Sequence, residues 1–276
     1  MKVIKTSNLK LSVKGNLQYI QFPKLLSTGC VRHVFSTRHG GVSTGDCATM
    51  NLSFNRDEPR ENVVKNYEIL CEAVGIDTKN LVLSQQTHTN NVISVTKENC
   101  GTGFNLPPFC DVDGLVTNQS GVALVTQYAD CTPLLFCDPV KKVIATSHAG
   151  WRGTAKLIGK VTVEKMVNEY GCNPENIIAG IGPCIAQCCY EVDETVYNEF
   201  ATIDFLDMET IFINKPNGKY MLDLVEANKQ ILIKSGISEN NIDVSDICTN
   251  CNSSDLHSHR ATGGKRGNLA AIIELI

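Results

Sequence analysis

The segment Val122–Thr154 reads VALVTQYADCTPLLFCDPVKKVIATSHAGWRGT and contains three short runs rich in apolar and β-branched residues. These runs, Val122–Gln127, Leu134–Cys137 and Val143–Ser147, have the length and composition of strands, and turn-forming residues separate them. A helical pattern begins only at Thr154. Three strands in succession do not follow the regular βαβ alternation of a doubly wound sheet. The segment therefore predicts an α+β protein.

Other β-rich runs lie on both sides of this segment. Strands are predicted at Val31–Ser36, Asn91–Thr96, Ile177–Ile181 and Asp243–Ile247. The apolar end of the chain, Leu269–Ile276, fits either a strand or a helix.

Helical periodicity appears in four places. The predicted helices are a segment around Val63–Val74, Thr154–Tyr170, Glu194–Phe200 and Leu224–Lys234. Gly75 and Gly171 are expected to end the first two helices, and Asp223 is expected to cap the last one. No linker, repeat or low-complexity tract interrupts these elements, so one domain is favoured over two.

Composition and charge narrow the class of protein. The 276 residues are 42% hydrophobic and 20% charged, as in soluble globular proteins. The net charge of -4 gives no basic excess for a general nucleic-acid binder. No apolar stretch is long enough for a membrane helix, and the first residues do not resemble a signal peptide. We therefore expect a cytoplasmic protein without nucleic-acid or membrane partners.

Cysteine is unusually frequent, with 13 residues, about 5% of the chain. The number is odd, and the chain is much longer than the small secreted domains that depend on disulfides. Most of these cysteines are therefore predicted to be reduced thiols, and some of them to bind metal.

Two groups of residues are candidates for a metal site. His88, Cys131 and His148 each stand where a predicted element ends, and two imidazoles with one thiolate would leave a fourth zinc position open. The competing set, Cys248, Cys251, His257 and His259, would form a closed site. The residues alone do not decide between the two.

A third group, Cys184, Cys188 and Cys189, could be a redox or metal cluster. Their spacing matches no standard ligand set, so packed free thiols are the favoured interpretation.

Basic and acidic side chains in glycine-containing turns suggest anion binding. Arg38 lies in Ser36–Gly41, and Arg260, Lys265 and Arg266 lie in Ser258–Gly267. Guanidinium groups suit phosphate, although exposed basic turns would look the same. Asp111 and Asp113 could be site carboxylates or belong to an ordinary turn.

Taken together, the motifs resemble one family. They are Phe35–Ser43, Asn51–Phe54, Gln86–His88, Asp113–Thr117, Ala129–Cys131, His148–Thr154, Ile181–Pro183, Cys189–Val192, Asp223–Leu224 and Ser258–Arg260. Their order is similar to that of the YfiH/YlmD family, also called the multicopper polyphenol oxidase or laccase-domain family. The resemblance runs from about residue 20 to the C-terminus. It implies a single-domain αββα sandwich of four layers over residues 1–276, with residues 1–20 as an N-terminal extension.

The resemblance also implies a site and an activity. Its zinc ligands fall on His88, Cys131 and His148. The activity is phosphorolysis of adenosine, inosine and S-methyl-5'-thioadenosine, with adenosine deamination at the same site. The partners are thus a purine nucleoside and phosphate.

Roles for other residues follow as hypotheses. Those expected to bind phosphate or substrate are Arg38, Arg152, Arg260, Lys265 and Arg266. Arg38 is also counted among the catalytic candidates, and Asp113 or Asp130 would transfer protons in the deamination.

Two further activities stay open. A cysteine hydrolase or amidase would use Cys131 as nucleophile and His148 as base, as in the editing of a peptidoglycan precursor. A copper-dependent polyphenol oxidase would also use histidine and cysteine ligands. No methionine lies in the motif segments as an axial ligand, and six histidines are few for multicopper chemistry, so zinc is preferred to copper.

Overall fold

The computed structural model describes residues 4–276, and its strands are spread over this whole range. In chain order they are β1 (Lys10–Lys14), β2 (Leu17–Gln21), β3 (Val31–Ser36), β4 (Leu81–Leu83), β5 (Val92–Ser94), β6 (Gly114–Thr117), β7 (Ala123–Tyr128), β8 (Thr132–Asp138), β9 (Val143–Ala149), β10 (Ile178–Ile181), β11 (Glu191–Val192), β12 (Phe212–Asn214), β13 (Tyr220–Leu222), β14 (Ile242–Val244) and β15 (Leu269–Leu275).

Within residues 4–276 these strands form two six-stranded sheets and one three-stranded sheet. The first sheet has the order β1-β2-β3-β15-β7-β4, and the second has the order β14-β10-β8-β9-β6-β5. The small sheet is β11-β13-β12. Most neighbouring strands are antiparallel, while β4–β7, β5–β6 and β10–β14 are parallel. The predicted α+β class is confirmed.

The segment that predicted the fold is shared between the two large sheets. Strand β7 belongs to the first sheet, whereas β8 and β9 form an antiparallel pair in the second. The chain crosses from one sheet to the other at Ala129–Cys131, where Asp130 has a left-handed φ of 84°. This crossing places Cys131 where the two sheets meet.

The two large sheets pack on each other through apolar side chains. Phe35 and Leu124 of the first sheet lie in one cluster with Leu135 and Ile144 of the second. Alternate residues of β7 face opposite ways, because Leu124 joins this inner cluster while Val125 joins the cluster on the other face of the first sheet. Burial on both faces explains why the run is apolar from Val122 to Val125 without alternation.

Helices cover the outer faces of both sheets. The helices are α1 (Pro23–Ser27), α2 (Arg60–Val74), α3 (Trp151–Ala155), α4 (Ile158–Tyr170), α5 (Glu194–Ala201), α6 (Met208–Ile211), α7 (Leu224–Lys234) and α8 (His259–Thr262). Tyr67 and Leu70 of α2 pack against the first sheet. Met166 of α4 and Leu232 of α7 pack against the second. None of the helices described for residues 4–276 is both long and apolar enough to span a membrane.

Several predicted boundaries are confirmed and others are corrected. Helix α2 ends at Gly75 in the left-handed conformation, and Asp223 caps α7 by accepting a hydrogen bond from the Glu226 amide. The end of the chain is a strand, since β15 pairs with both β3 and β7.

The predicted helix Thr154–Tyr170 is wrong as one element. It is two helices, α3 and α4, because Leu157 has a left-handed φ of 60° that breaks the helical hydrogen-bond pattern.

Two other segments also differ from expectation. The predicted strand Asp243–Ile247 is instead β14, Ile242–Val244, and the chain leaves the sheet after it pairs with β10. Within the segment expected to be an N-terminal extension, β1 and β2 form an antiparallel pair, and β2 joins the first sheet beside β3.

Candidate metal centre

His88 lies in the loop between β4 and β5 and has a left-handed φ of 66°. The carboxylate of Asp113 holds this loop by accepting hydrogen bonds from the amides of Thr87 at 3.1 Å, His88 at 3.1 Å and Thr89 at 2.8 Å. The Thr89 hydroxyl donates to the same carboxylate at 2.8 Å. These bonds stabilise a backbone conformation that a histidine seldom adopts.

Strand pairing brings Cys131 and His148 to the same place. Pro133 of β8 stands opposite His148 of β9, and Thr132 stands opposite Ala149. Cys131 directly precedes this paired segment and therefore lies beside the end of β9. The sulfur of Cys131 is 3.7 Å from Nε2 of His88.

The three side chains form one compact cluster. Their ligating atoms lie within 4.8 Å of one another, and the rings of His88 and His148 are 4.9 Å apart, edge to face. Nδ1 of His148 bonds to Asp113 Oδ1 at 2.8 Å, which leaves Nε2 free for the cluster. One buried carboxylate thus orients one ligand and holds the loop of another.

The contacts in and behind the cluster favour the ionised forms of Cys131, His148 and Asp113. Burial would raise the pKa of Cys131, but the charges and hydrogen bonds of His148 and His88 lower it to about 6. Burial would likewise raise the pKa of Asp113, yet bonds from His148 and Thr89 and the His148 charge lower it to about 2. Burial would lower the pKa of His148, but the charge of Cys131 and the hydrogen bonds to Asp113 and Cys131 raise it to about 9. A metal would displace the imidazole proton and bind the thiolate.

The surroundings fit a metal ion. A β-carbon placed on Gly150 would be 2.8 Å from the Cys131 sulfur and 2.9 Å from Cδ2 of His88, so only glycine leaves room there. Two imidazoles and one thiolate are ligands that suit zinc, and all three side chains reach a cavity. With three protein ligands, a fourth position would face that cavity.

The cavity above the cluster has a volume of about 540 Å³, within the range of small-molecule sites. Its lining combines arginines with aromatic and polar side chains. It includes Arg56, Arg152, Arg260, Arg266, Trp151 and Tyr190. None of these arginines forms a salt bridge within the described part of the chain, so their charge is available to an anion.

The structure separates the predicted site residues into two groups. Asp130, Arg152, Arg260 and Arg266 line the cavity with the three candidate ligands. Lys265 is exposed and lies outside the lining.

Arg38 and Asp113 are also absent from the lining. The Arg38 guanidinium donates to the carbonyls of Ala48, at 2.9 and 2.8 Å, and of Ser253, at 2.8 Å. Asp113 is completely buried and contacts the candidate ligand His148 and the His88 loop. Asp113 therefore supports the cluster from outside the cavity, whereas the Arg38 guanidinium is bound to backbone carbonyls.

Several lining residues were not among the sequence predictions, and three of them are charged or aromatic. Arg56 follows the Asn51–Phe54 motif by two positions, Trp151 lies within the His148–Thr154 motif, and Tyr190 lies within Cys189–Val192. Proximity to a motif was the available signal for all three.

The competing four-ligand site is not formed. The sulfurs of Cys248 and Cys251 lie together with those of Cys188 and Cys189. His257 is buried against Gly267, and His259 lines the cavity. The two halves of the predicted set thus belong to different places in the fold.

The fold and the cluster define a class: an α+β protein with an open His–Cys–His centre at the base of an arginine-rich cavity. The model of the family described as "Multi-copper polyphenol oxidoreductase laccase" matches residues 32–276. The chain belongs to this family, which confirms the resemblance seen in its motifs.

Known relatives are similar over most of their length. "Purine nucleoside phosphorylase YlmD" of Bacillus subtilis is 36% identical over 87% of this chain and 86% of that protein. "Adenosine deaminase RL5" from an unknown prokaryotic organism is 32% identical over 84% of this chain and 90% of that protein. The crystal structure of the Bacillus licheniformis hypothetical protein YfiH superposes with a TM-score of 0.91 at 30% identity, covering 96% of this chain and 99% of that one.

Proposed function

We propose that this protein is a zinc-dependent purine nucleoside phosphorylase that acts on adenosine, inosine and S-methyl-5'-thioadenosine and also deaminates adenosine at the same site. The observation that carries the proposal is the combination of a His88–Cys131–His148 cluster and unpaired arginines in one cavity. Relatives named for each of the two activities support it.

Zinc is the metal that the ligand set favours. When bound, it supplies a Lewis acid that can orient phosphate or activate water. A blue-copper centre would add an axial methionine, and none of the methionines in the described residues lines the cavity.

Phosphate binding is assigned to Arg56 and Arg266. Both donate to Asn268 Oδ1, Arg56 through Nε at 3.1 Å, and Nε of Arg266 is buried without a partner in the described part of the chain. Burial, and next the charge of Arg56, lower the pKa of Arg266 to about 10. A bound anion would offset the repulsion between these two positive charges, which makes the arginine pair a favourable position for phosphate.

The nucleoside would occupy the part of the cavity lined by two pairs of an arginine and an aromatic ring. The Arg260 guanidinium lies 5.3 Å from the centre of the Tyr190 ring, and that of Arg152 lies 4.2 Å from the centre of Trp151. These flat groups offer stacking surfaces for a purine. In phosphorolysis, a phosphate oxygen would form a bond to the anomeric carbon while the bond from that carbon to the base breaks.

Asp130 is the carboxylate we assign to proton transfer in the deamination, because it lines the cavity and Asp113 does not. Its Oδ1 accepts a bond from the Thr249 hydroxyl at 2.6 Å, and its Oδ2 accepts one from the Arg260 amide at 2.7 Å. Asp113 is instead a positioning residue for His148 and the His88 loop.

The test is turnover of adenosine by the zinc-loaded protein with and without phosphate. We expect adenine release only with phosphate, inosine formation in both conditions, and loss of both activities in Cys131→Ala. The matched control is Cys110→Ala, which removes an exposed cysteine outside the cavity lining. No turnover of any of the three nucleosides by the zinc-loaded protein would overturn the proposal.

A second candidate function, thiol hydrolysis, rests on the lowered pKa of Cys131 beside two histidines. It predicts activity on an amide substrate that survives complete metal removal. Phenol oxidation that requires copper would favour the oxidase alternative instead.

A further inference from the structure

A second cluster of thiols lies outside the cavity lining. The sulfurs of Cys188, Cys189, Cys248 and Cys251, here called the tetracysteine cluster, lie within 4.8 Å of one another. The first two precede β11, and the last two follow β14. The structure thus joins two cysteines from each of two groups that the sequence analysis treated separately.

The spacing of three of the sulfurs matches one face of a tetrahedral metal site, and the Cys248 sulfur lies within 4.8 Å of each of them. The distance is 3.7 Å between Cys188 and Cys189, 3.6 Å between Cys188 and Cys251, and 3.4 Å between Cys189 and Cys251. Four sulfurs bound to zinc at about 2.3 Å stand about 3.8 Å apart along the edges of the tetrahedron. A disulfide requires about 2.05 Å.

Packing of apolar thiols does not explain the cluster. Cys188 and Cys251 are exposed, and Cys189 is only partly buried. The hydrophobic effect stabilises exposed thiols little, whereas a bound metal would stabilise the convergence of two exposed, one partly buried and one buried cysteine.

We propose that the tetracysteine cluster binds a second zinc ion in a closed tetrathiolate site. Four zinc–sulfur bonds form, four thiol protons pass to solvent, and no electrons are transferred. Because all four positions are occupied by protein ligands, the site is structural and not catalytic.

Backbone contacts prepare the site and connect it to the cavity wall. The amide of Ala186 donates to the Cys248 sulfur at 3.4 Å, and the amide of Thr249 donates to the carbonyl of Cys184 at 2.9 Å. Arg260 donates to the carbonyl of Cys189 at 3.2 Å. Zinc would therefore fix the loop that carries Tyr190 and the segment that leads into α8, where Arg260 lies.

The first experiment counts zinc. We expect two zinc ions per chain in the native protein and one in His88→Ala/His148→Ala, which disables the open centre. Adding Cys188→Ser/Cys251→Ser to that variant should reduce the content to zero, whereas adding the matched control Cys110→Ser should leave one. Both serine positions are exposed, so the core is not disturbed.

The native protein gives a test that does not depend on the folding of these variants. After loading with Co²⁺, we expect two equivalents, one with the sulfur-to-cobalt absorption of a tetrahedral tetrathiolate. Bound cobalt without the absorption of a tetrathiolate site would overturn the proposal, whether or not the open centre is occupied. So would disulfides among these four cysteines, detected by alkylation and mass spectrometry in protein prepared with zinc.

Discussion

Asp113 is the residue that connects the parts of the candidate metal centre. It is completely buried and accepts bonds from three loop amides around His88 and from Nδ1 of His148. If a metal binds at this cluster, a residue in this position would tune its ligands without contacting the metal itself.

Replacing Asp113 with Asn should weaken zinc binding by about 10- to 100-fold, because one acceptor oxygen is lost and the His148 ring is no longer held by a charge. Competition with a chromophoric chelator measures this affinity. The control is Asp111→Asn, since Asp111 is an exposed neighbour with φ of 55°, a conformation that asparagine tolerates. Equal affinities in the two variants would contradict this role.

His33 makes stability depend on pH. It is completely buried, its Nε2 accepts a bond from the Phe22 amide at 2.8 Å, and burial lowers its pKa to about 4. The folded state then binds fewer protons than the unfolded state below about pH 6.5, so its stabilising contribution is complete above that pH and is lost as pH falls towards 4.

We expect the free energy of unfolding of the metal-free protein to fall more steeply with acid than that of His33→Gln. Glutamine keeps an acceptor but does not titrate, so the difference should approach about 1.4 kcal/mol per pH unit within that window. Urea unfolding at a series of pH values measures it. If the free energies of unfolding of the two proteins fell in parallel with pH, His33 would not contribute to the pH dependence of stability.

At the scale of elements, the short helix α3 places side chains at the cavity. It begins directly after Gly150 and carries Trp151 and Arg152 to the lining, and the left-handed Leu157 then lets α4 turn onto the second sheet. A continuous helix could not do both.

Gly150→Ala should abolish zinc binding at the open centre. The backbone angles of Gly150, φ −64° and ψ 168°, suit alanine, so the effect comes from the contacts of 2.8 and 2.9 Å that the methyl group would make with Cys131 and His88. The zinc content of His88→Ala/His148→Ala gives the value expected when the open centre holds no zinc.

Gly218→Ala controls for general destabilisation, since Gly218 has φ of 71° and open space around it. It should lower the melting temperature without changing zinc content. Full zinc binding by Gly150→Ala would show that the ligands can move aside.

At the scale of the whole molecule, the arginines that line the cavity come from distant parts of the chain. Arg56 precedes α2, Arg152 lies in α3, and Arg260 and Arg266 lie near the C-terminus. The packing of the two sheets brings these loops to one edge.

Arg266→Gln should raise the KM for phosphate by about 10- to 100-fold, the loss expected for a charged hydrogen bond, while deamination of adenosine changes less. Lys265→Gln is the matched control, because it removes the neighbouring charge outside the lining. Steady-state kinetics at varied phosphate measure the difference. Equal phosphate KM values in the two variants would remove Arg266 from the phosphate site.

Much of the architecture could be predicted because it depends on local patterns. Strand β3 and helix α7 have the predicted bounds, since alternation, periodicity and caps are properties of neighbouring residues. Strands β11 to β13 have two or three residues each and were missed, because such short runs carry little signal.

The sequence by itself determined the α+β class, the family and the three candidate ligands His88, Cys131 and His148. Only the tertiary structure decided that Asp113 lies behind them, that Arg56 joins Arg266, and that Cys188 and Cys189 meet Cys248 and Cys251. The physical reason is that local patterns encode strands and helices, whereas contacts between residues many positions apart arise from how the two sheets pack.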